Sequence, residues 1–280
     1  MFLVSVPRSG STVLSAILDR REDVVVLPES HFPQLLDMLP DAELHDPRLL
    51  TQLFQMTCTD GPFLSEEQTE ACMEPDRGRT LRNLGMHVAA NAERDPAGIR
   101  VVVWKATRMT GRWRTLIADG GRFVVLRRNP VNVFESQHRV HFGLHNRNPL
   151  RFAAFAASYE AGFKRCPVDR VFALDYPEIP EKVEALCAWI GSRGGERPEG
   201  TSTLQRTSAT AYWHRDVLGE FRDDDAAKRG RVPAATRLAV EWGIASLRAL
   251  PFLADWVRDF ADAREFSALH SRALASPRTQ

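Results

Sequence analysis

The sequence predicts an α/β protein whose central, mainly parallel β-sheet is flanked by helices. Short apolar runs rich in β-branched residues recur along the chain without the alternating pattern of a half-exposed strand. Longer patterns with helical periodicity separate these runs, as expected when helices cover both faces of a parallel sheet. We expect a single domain over residues 1–280, mainly helical from about residue 200 and frayed at 271–280.

The predicted strands and helices alternate in order along the chain. The runs expected to form strands are MFLVSV (1–6), VVVL (24–27), IRVVVWKA (99–106), RFVVLRR (122–128) and RVFALDY (170–176). The segments expected to be helical are STVLSAILDRR, most of 31–95, PVNVFESQHRV, 150–165 and PEKVEALCAWIG, with further helices up to about residue 270. Pro130 suits a first helical turn and Gly191 a helix end. The Gly- and Pro-rich stretch 191–200 is the best candidate for a linker.

Composition and charge give no sign of a nucleic-acid or membrane partner. The chain is 44% hydrophobic and 26% charged, with a formal net charge of +1, which is ordinary for a globular protein. No apolar run is long enough to predict a membrane-spanning helix, and no leader pattern precedes the first strand. Cys58, Cys72, Cys166 and Cys187 form no CxxC pair, which favours a reducing compartment without a cysteine–zinc site. We therefore expect a cytoplasmic protein, and the excess of Arg over Lys favours a bacterial source.

The charges are unevenly distributed along the chain. Residues 19–76 contain 14 Asp or Glu against 3 Lys or Arg, whereas residues 100–151 contain 11 Lys or Arg against 2 Asp or Glu. The basic stretch suits an anionic ligand, but two solvated helix faces would give the same counts. The distribution alone leaves both interpretations open.

The turn PRSGST joins the first predicted strand to the first helix. Small residues there expose successive backbone N–H groups at a helix N-terminus, where the amides and the helix dipole favour phosphate or sulfate. Gly10 permits close approach of a ligand, Ser9, Ser11 and Thr12 add hydroxyl donors, and Arg8 adds a planar cation. The Walker pattern GxxxxGK[ST] is absent. An ordinary capped helix start is the alternative, and the composition of the hexapeptide favours an anion site.

A second anion site is predicted where the fourth strand ends. Arg128 stands at the carboxyl end of that strand, and Ser136 lies further along the following helix. The carboxyl ends of parallel strands share one sheet edge, so this pair and PRSGST would lie on the same edge. An arginine and a distant serine are a weak signal alone, but together with the opening turn they predict two phosphate grips for one nucleotide.

PRSGST together with RNPVNVFES resembles the two nucleotide-binding motifs of sulfotransferases that use 3′-phosphoadenosine 5′-phosphosulfate (PAPS). The layout is most similar to tyrosylprotein and bacterial trehalose-type sulfotransferases, in which a glutamate follows the first motif as Glu29 follows Arg8 here. The resemblance covers residues 1 to about 210 and is thin over 40–95. It implies a P-loop-type sulfotransferase fold, PAPS as the donor and adenosine 3′,5′-bisphosphate (PAP) as the product.

The resemblance also implies a role for each matching residue. Five residues match the loop that holds the 5′-phosphosulfate, namely Arg8, Ser9, Gly10, Ser11 and Thr12. The other matches are Lys105 beside the transferring group, Arg128 and Ser136 at the 3′-phosphate, Tyr176 near the adenine, and Ser208, in a weakly matching Arg206-Thr207-Ser208 segment, near the phosphosulfate. The tyrosylprotein enzymes carry a further arginine four residues after the motif serine. Val140 occupies that position here, beside Arg139.

Glu29 matches the proposed general base, which would take the proton of the acceptor hydroxyl and contribute roughly 10²–10⁴-fold to the rate. A surface carboxylate or a helix cap is the alternative interpretation. His31 is the rival base, because cytosolic sulfotransferases use a histidine, and the spacing favours Glu29. Lys105 and Arg8 with the loop amides would stabilise charge on the leaving phosphate oxygen, so no metal is expected.

The acceptor and the partners are less well defined than the donor. Residues 31–95 and 138–165 would build the acceptor pocket, and a small metabolite or natural-product hydroxyl is favoured over a peptide tyrosine. The oligomeric state is left open, and a homodimer is one possibility. The alternative functions are a P-loop kinase, whose loop lysine and magnesium aspartate are missing from the usual places, and a non-catalytic nucleotide-binding protein.

Two further clusters are interpreted as unrelated to metal binding. His138, His141 and His145 are expected to line the acceptor cleft or face solvent, because no carboxylate lies beside them. The run 223–225 of three aspartates is expected to be a solvated turn rather than a magnesium site.

Overall fold

The protein is described here from a computed structural model. The structure describes residues 1–58, 64–92, 94–107, 114–118, 120–139, 148–164, 166–197, 224–250, 252, 264 and 266–275.

Five strands form one parallel sheet. They are β1 (Phe2–Ser5), β2 (Val24–Leu27), β3 (Val101–Lys105), β4 (Phe123–Arg127) and β5 (Val171–Asp175). The strand order is β2-β3-β1-β4-β5, and every adjacent pair is parallel. The predicted fold class, a central parallel sheet flanked by helices, is confirmed.

The strand order changes direction at β1. The chain runs from β1 outward to β2 and back to β3 on one side, and then to β4 and β5 on the other. In open α/β sheets, ligands bind outside the carboxyl ends of the strands at such a switch point. The loop after β1 and the residues after β4 therefore flank the position where a ligand is expected.

Both faces of the sheet are buried, which explains why the strands lack alternation. In β1, Phe2 and Val4 belong to one hydrophobic cluster and Leu3 to the cluster on the opposite face. Side chains of successive strand residues point to opposite faces, so both faces must be apolar when helices cover each of them.

The helices lie between the strands and after them. They are α1 (Ser11–Asp19), α2 (Phe32–Met38), α3 (Pro47–Thr57), α4 (Glu66–Glu70), α5 (Arg77–Asn91), α6 (Arg114–Ala118), α7 (Pro130–Arg139), α8 (Pro149–Lys164), α9 (Ile179–Ile190), α10 (Asp225–Arg231) and α11 (Ala234–Ala249). Residues 266–275 are helical as well. Short 3₁₀ turns occupy Asp41–Glu43, Pro96–Gly98, Val168–Arg170 and Tyr176–Glu178.

Local sequence signals set several helix ends. Pro130 begins α7, where its missing N–H costs nothing. Asp76 caps α5 by accepting from a backbone N–H. Gly191 ends α9 in the left-handed conformation, with φ of 84°. None of the described helices is long and apolar enough to cross a membrane.

The first part of the predicted linker is held by hydrogen bonds to the turn that precedes β2. Asp23 accepts hydrogen bonds from the Ser192 hydroxyl and from the backbone N–H of Arg193. Arg21 forms an antiparallel bridge with Glu196. Residues 191–197 therefore lie against the turn between α1 and β2 rather than forming a free connection.

Candidate active site

The loop between β1 and α1 has an unusual backbone. Arg8 has φ of 75°, and it is the one non-glycine residue with positive φ in the described part of the chain. Such a conformation is strained for a side chain other than glycine. Gly10 has φ of 96° and is the N-cap of α1, which has no side-chain cap. The first N–H groups of α1 are therefore left available beside the loop.

Gly10 also lies directly against Tyr176. A Cβ atom built at Gly10 would come within 2.3 Å of two ring atoms of Tyr176, well below any real contact distance. Only glycine allows the loop and the tyrosine to pack this closely. The backbone conformation and the tyrosine thus impose the same residue at this position.

Two residues from strand ends meet next to the loop. Lys105 is the last residue of β3 and its side chain is 7% exposed, while Glu29 follows β2. The ammonium of Lys105 donates to the Thr12 hydroxyl at 3.0 Å and lies 3.2 Å from a carboxylate oxygen of Glu29. A backbone hydrogen bond of 3.0 Å from Ser30 to the carbonyl of Lys105 joins the two segments. The structure therefore brings the predicted base, the predicted lysine and the loop together.

Thr107 is a site residue that the sequence did not single out. It is 1% exposed, and its hydroxyl donates a hydrogen bond to the second carboxylate oxygen of Glu29. Each oxygen of Glu29 thus has its own partner, Lys105 on one side and Thr107 on the other. The only sequence signal was its place two residues beyond Lys105.

The charge state of Glu29 follows from these partners. Burial on its own would raise the pKa of the Glu29 carboxyl, but the positive charge of Lys105 and the hydrogen bond from Thr107 outweigh it. The pKa therefore lies below its ordinary value of 4.5, with a smaller lowering from His31. His31 is the N-cap residue of α2 and is half-buried, so the rival base also lies near Glu29.

The second predicted phosphate site, with Arg128 and Ser136, is connected to the first, the loop after β1. Arg8 donates to the hydroxyl of Ser136, on α7, at 3.3 Å. The Gln137 amide donates to the carbonyl of Pro7 at 2.9 Å. The loop after β1 is thus joined to the helix after β4, as the shared sheet edge predicts.

Tyr176 lies beneath both grips. The guanidinium carbon of Arg128 lies 3.9 Å from the centroid of the Tyr176 ring, a cation–π contact. The same ring also lies against Gly10. Tyr176 is 4% exposed, and it contacts both the loop after β1 and Arg128.

Arg128 is held by two acidic residues that were interpreted as part of a solvated turn. Its Nε donates to Asp225 at 2.7 Å and its terminal nitrogen to Asp224 at 2.9 Å. Lys228, one turn along α10, donates to the same Asp224 oxygen at 2.6 Å. Burial raises the pKa of Asp224, but Lys228 and Arg128 lower it below its ordinary value. The expectation of a solvated turn is wrong in that both carboxylates pair with Arg128, from a distant part of the chain, although the side chain of Asp224 is still 48% exposed.

Arg139 lies near the loop even though its position is shifted from the family pattern. Burial lowers the pKa of Arg8, and the positive charges of Arg139 and Arg128 lower it further. Arg139 itself is 3.9 Å from Glu135 on the same helix. Val140 and the Arg206-Thr207-Ser208 segment, with the predicted Ser208, lie outside the described residues.

The histidine cluster is only partly described. The ring of His138 stacks on Phe134, with centroids 5.9 Å apart, while His141 and His145 lie outside the described residues. In the described part of the chain, no group of three or more His, Cys, Asp or Glu side chains could hold a metal ion. The expectation of a metal-free site stays a prediction.

Comparison with known proteins adds the family to this geometry. A model of the sulfotransferase family matches residues 1–192, about two thirds of the chain. The chain belongs to the sulfotransferase family. The matched residues contain the loop after β1, Lys105, Arg128 and Tyr176, and they end before α10.

Solved structures similar to this sulfotransferase include two domains from larger systems. One is the sulfotransferase domain from the Synechococcus PCC 7002 olefin synthase, with 16% identity, a TM-score of 0.49, and coverage of 88% of this chain and 93% of that one. The other is the sulfotransferase domain from the curacin biosynthetic pathway, with 16% identity, a TM-score of 0.48, and coverage of 88% and 96%. No curated protein matched.

Proposed function

We propose that this sulfotransferase transfers the sulfuryl group of PAPS to an acceptor hydroxyl and releases PAP. The observation that carries the proposal is the contact of Lys105 with both Thr12, in the first turn of α1, and Glu29. That arrangement places a buried cation between the expected positions of the leaving phosphate and of the attacking hydroxyl. The donor supplies an activated sulfur–oxygen bond, and the residues of the chain supply charge stabilisation and a base.

The chemistry of the side chains fits a nucleotide with phosphate groups at both ends of its ribose. The N-terminus of α1, Thr12 and Lys105 offer N–H, O–H and N⁺–H donors for the 5′ end. Arg128 and Ser136 offer a guanidinium and a hydroxyl for the 3′-phosphate. Tyr176 contacts both Arg128 and Gly10, which supports the proposal that it lies near the nucleoside.

Lys105 stabilises the negative charge that develops on the leaving phosphate oxygen when the sulfur–oxygen bond breaks. A buried ammonium is effective there because water does not screen it. The sulfuryl group carries less negative charge than a γ-phosphoryl group, so cationic side chains and amides suffice. This is the reason for expecting transfer without a metal.

Glu29 accepts the proton of the acceptor hydroxyl as the new oxygen–sulfur bond forms. It is ionised at neutral pH because its pKa is lowered. A carboxylate that stays paired with Lys105 would be a weak base. The negative charge of the bound donor therefore also acts on Glu29, by attracting Lys105. When Lys105 turns towards the donor, its hold on Glu29 weakens and the carboxylate becomes more basic.

We propose a small hydroxylated metabolite or natural product as the acceptor, ahead of a peptide tyrosine. Glu29 and His31 begin the segment that leads into α2, so the acceptor hydroxyl would approach from that side of the sheet edge. No charged surface for a polyanionic acceptor is indicated by the net charge of +1.

Calorimetry and turnover together test the proposed function. We expect binding of PAP and little binding of ATP with Mg²⁺, and we expect radiolabelled sulfate to pass from PAPS to members of a panel of hydroxylated acceptors. Turnover should survive EDTA and gain nothing from added Mg²⁺. An absolute requirement for Mg²⁺ with phosphate transfer from ATP would instead establish a P-loop kinase. PAP binding without turnover on any acceptor would favour a non-catalytic binding protein.

A further inference from the structure

The guanidinium of Arg128 is already paired along the edge that a phosphate would use. Its Nε and one terminal nitrogen both donate to carboxylates, at 2.7 Å to Asp225 and 2.9 Å to Asp224. Two parallel N–H donors of this kind are also what makes arginine a bidentate phosphate ligand. The two aspartates therefore occupy the donor groups that the 3′-phosphate of the proposed donor needs.

The charges of this cluster match those of a bound phosphate. Arg128 and Lys228 contribute two positive charges, and Asp224 and Asp225 contribute two negative ones. A phosphate monoester carries about −1.5 to −2 at neutral pH and has three acceptor oxygens. Exchanging the two carboxylates for one phosphate would leave the cations neutralised to nearly the same degree.

The burial of the four groups shows which of them can leave. The side chains of Arg128 and Lys228 are 5% and 8% exposed, whereas those of Asp225 and Asp224 are 17% and 48% exposed. Buried cations cannot remain unpaired without a large cost in free energy. The acidic groups are the more exposed members of the cluster, Asp224 most of all, and can be hydrated when another anion takes their place.

Asp224 has a second set of partners available nearby. It is the N-cap residue of α10, yet its side chain makes no capping hydrogen bond. Aspartate is a favoured N-cap residue because its carboxylate accepts from the first free N–H groups of a helix. A carboxylate released from Arg128 can therefore turn onto the N–H groups at the start of α10.

The C-terminal half of α10 is anchored independently of Arg128. Arg231 donates to Glu135 of α7 at 2.8 Å, and Arg229 donates to Glu241 of α11 at 2.9 Å. Val232, directly after the helix, is buried. Movement of the two acidic side chains thus requires no displacement of the helix as a whole.

We propose that Asp224 and Asp225 are an internal competitor for the 3′-phosphate of the nucleotide. They neutralise Arg128 and Lys228 in the free protein, turn outward when the 3′-phosphate binds, and return as PAP leaves. The competition weakens the hold on PAP and speeds its release between turnovers. This inference rests on the proposed function, since it requires a ligand with a 3′-phosphate.

The double variant D224N/D225N tests the competition, because it removes both negative charges and keeps the side-chain size. Calorimetry should show PAP binding at least about tenfold tighter than to the wild type. The reason is that Arg128 no longer has to give up hydrogen bonds to two charged carboxylates when the phosphate binds. Stopped-flow measurement should show slower PAP dissociation. Adenosine 5′-phosphosulfate, which lacks the 3′-phosphate, should bind both proteins equally.

E241Q is the matched control. It removes a carboxylate on α11 that pairs with Arg229 of α10 and does not contact Arg128. It should leave PAP affinity and dissociation unchanged. If the double variant does not fold, D224N and D225N singly should each shift PAP affinity in the same direction. Unchanged or weaker PAP binding in these variants would overturn the inference and would show that the aspartates orient Arg128. Failure of the wild type to bind PAP would instead count against the proposed function.

Discussion

The ammonium of Lys105 lies 3.2 Å from Glu29 and 3.0 Å from Thr12, and so joins the candidate base to the first turn of α1. These residues come from the ends of β3 and β2 and from the start of α1. The contact makes the protonation of Glu29 dependent on what Lys105 binds. In the proposed reaction, this contact would couple donor binding to proton removal through a single side chain.

Replacing the candidate base should abolish turnover without abolishing donor binding. Glu29→Gln keeps the size of the side chain but cannot accept a proton, so we expect turnover to fall roughly 10²–10⁴-fold. PAP affinity from calorimetry should stay within about 1 kcal/mol of the wild type, because Glu29 is assigned to the acceptor. His31→Asn is the control and should cost much less. The reverse pattern, an inactive H31N and a nearly normal E29Q, would make His31 the base.

Thr107→Val should change the pH profile of the reaction. The Thr107 hydroxyl contributes to the lowered pKa of Glu29, so its removal should raise that pKa. The activity depends on ionised Glu29 and is lost as pH falls through this pKa. The acid limb of the pH profile of kcat/KM should therefore move to higher pH in T107V. The fold of the variant at neutral pH should be the same as that of the wild type.

Thr107→Ser provides the matched control for that pH shift. It keeps the hydroxyl and should restore the acid limb of the wild type. A T107V profile identical to that of the wild type would show that the hydroxyl does not act on the reacting carboxylate.

Arg128→Ala should weaken binding selectively at the 3′ end of the nucleotide. We expect a loss of about 1.5–3 kcal/mol for PAP, the range for a hydrogen bond to a charged group, and a much smaller loss for adenosine 5′-phosphosulfate. Arg127→Ala is the matched control, because Arg127 precedes Arg128 but pairs with the exposed Asp175 at 2.7 Å. Equal losses for both ligands in calorimetry would contradict the assignment of Arg128.

Gly10→Ala should damage the loop more than the backbone conformation alone explains. Its φ of 96° costs a residue with a side chain about 1–2 kcal/mol, and the added methyl group would in addition overlap the Tyr176 ring. We expect a clear fall in the melting temperature and in PAP affinity. The loss of PAP affinity follows from displacement of Tyr176, which contacts Arg128, whereas the backbone conformation contributes to the loss of stability.

Gly191→Ala isolates the backbone contribution. Gly191 also has a positive φ, of 84°, but no atom lies within 4 Å of an added Cβ. The free energy of unfolding of this variant should fall by about as much as the backbone conformation costs at Gly10. Its PAP affinity should be unchanged. Equal effects on binding at both glycines would show that the contact with Tyr176 has no role in the site.

The sequence predicted that most residues of the candidate donor site share one edge of the sheet. The loop residues, Lys105 and Arg128 each stand at the carboxyl end of a strand, and strands that are parallel share one edge. The lack of alternation in the strands was enough to predict that arrangement, since it indicates burial on both faces. The contacts that join these residues then follow from the strand order around β1.

The partners that tune the site could not be predicted in this way. Thr107 was one hydroxyl after a strand, and Asp225 was one member of an acidic run that lies 97 positions from Arg128. Neither has a periodicity or a spacing that distinguishes a buried partner from a solvated side chain. Their roles depend on which distant charge they meet.

The sequence alone determined the layered α/β architecture and the edge of the sheet that carries the candidate anion-binding residues, because the periodicity of apolar residues and the residues that end the strands are local properties. The tertiary structure alone decided that Glu29 is held between Lys105 and Thr107, and that Asp224 and Asp225 neutralise Arg128. Electrostatic partners are chosen by distance in space and by burial. A chain can bring any two of its segments together, so those pairings are fixed only when the packing is complete.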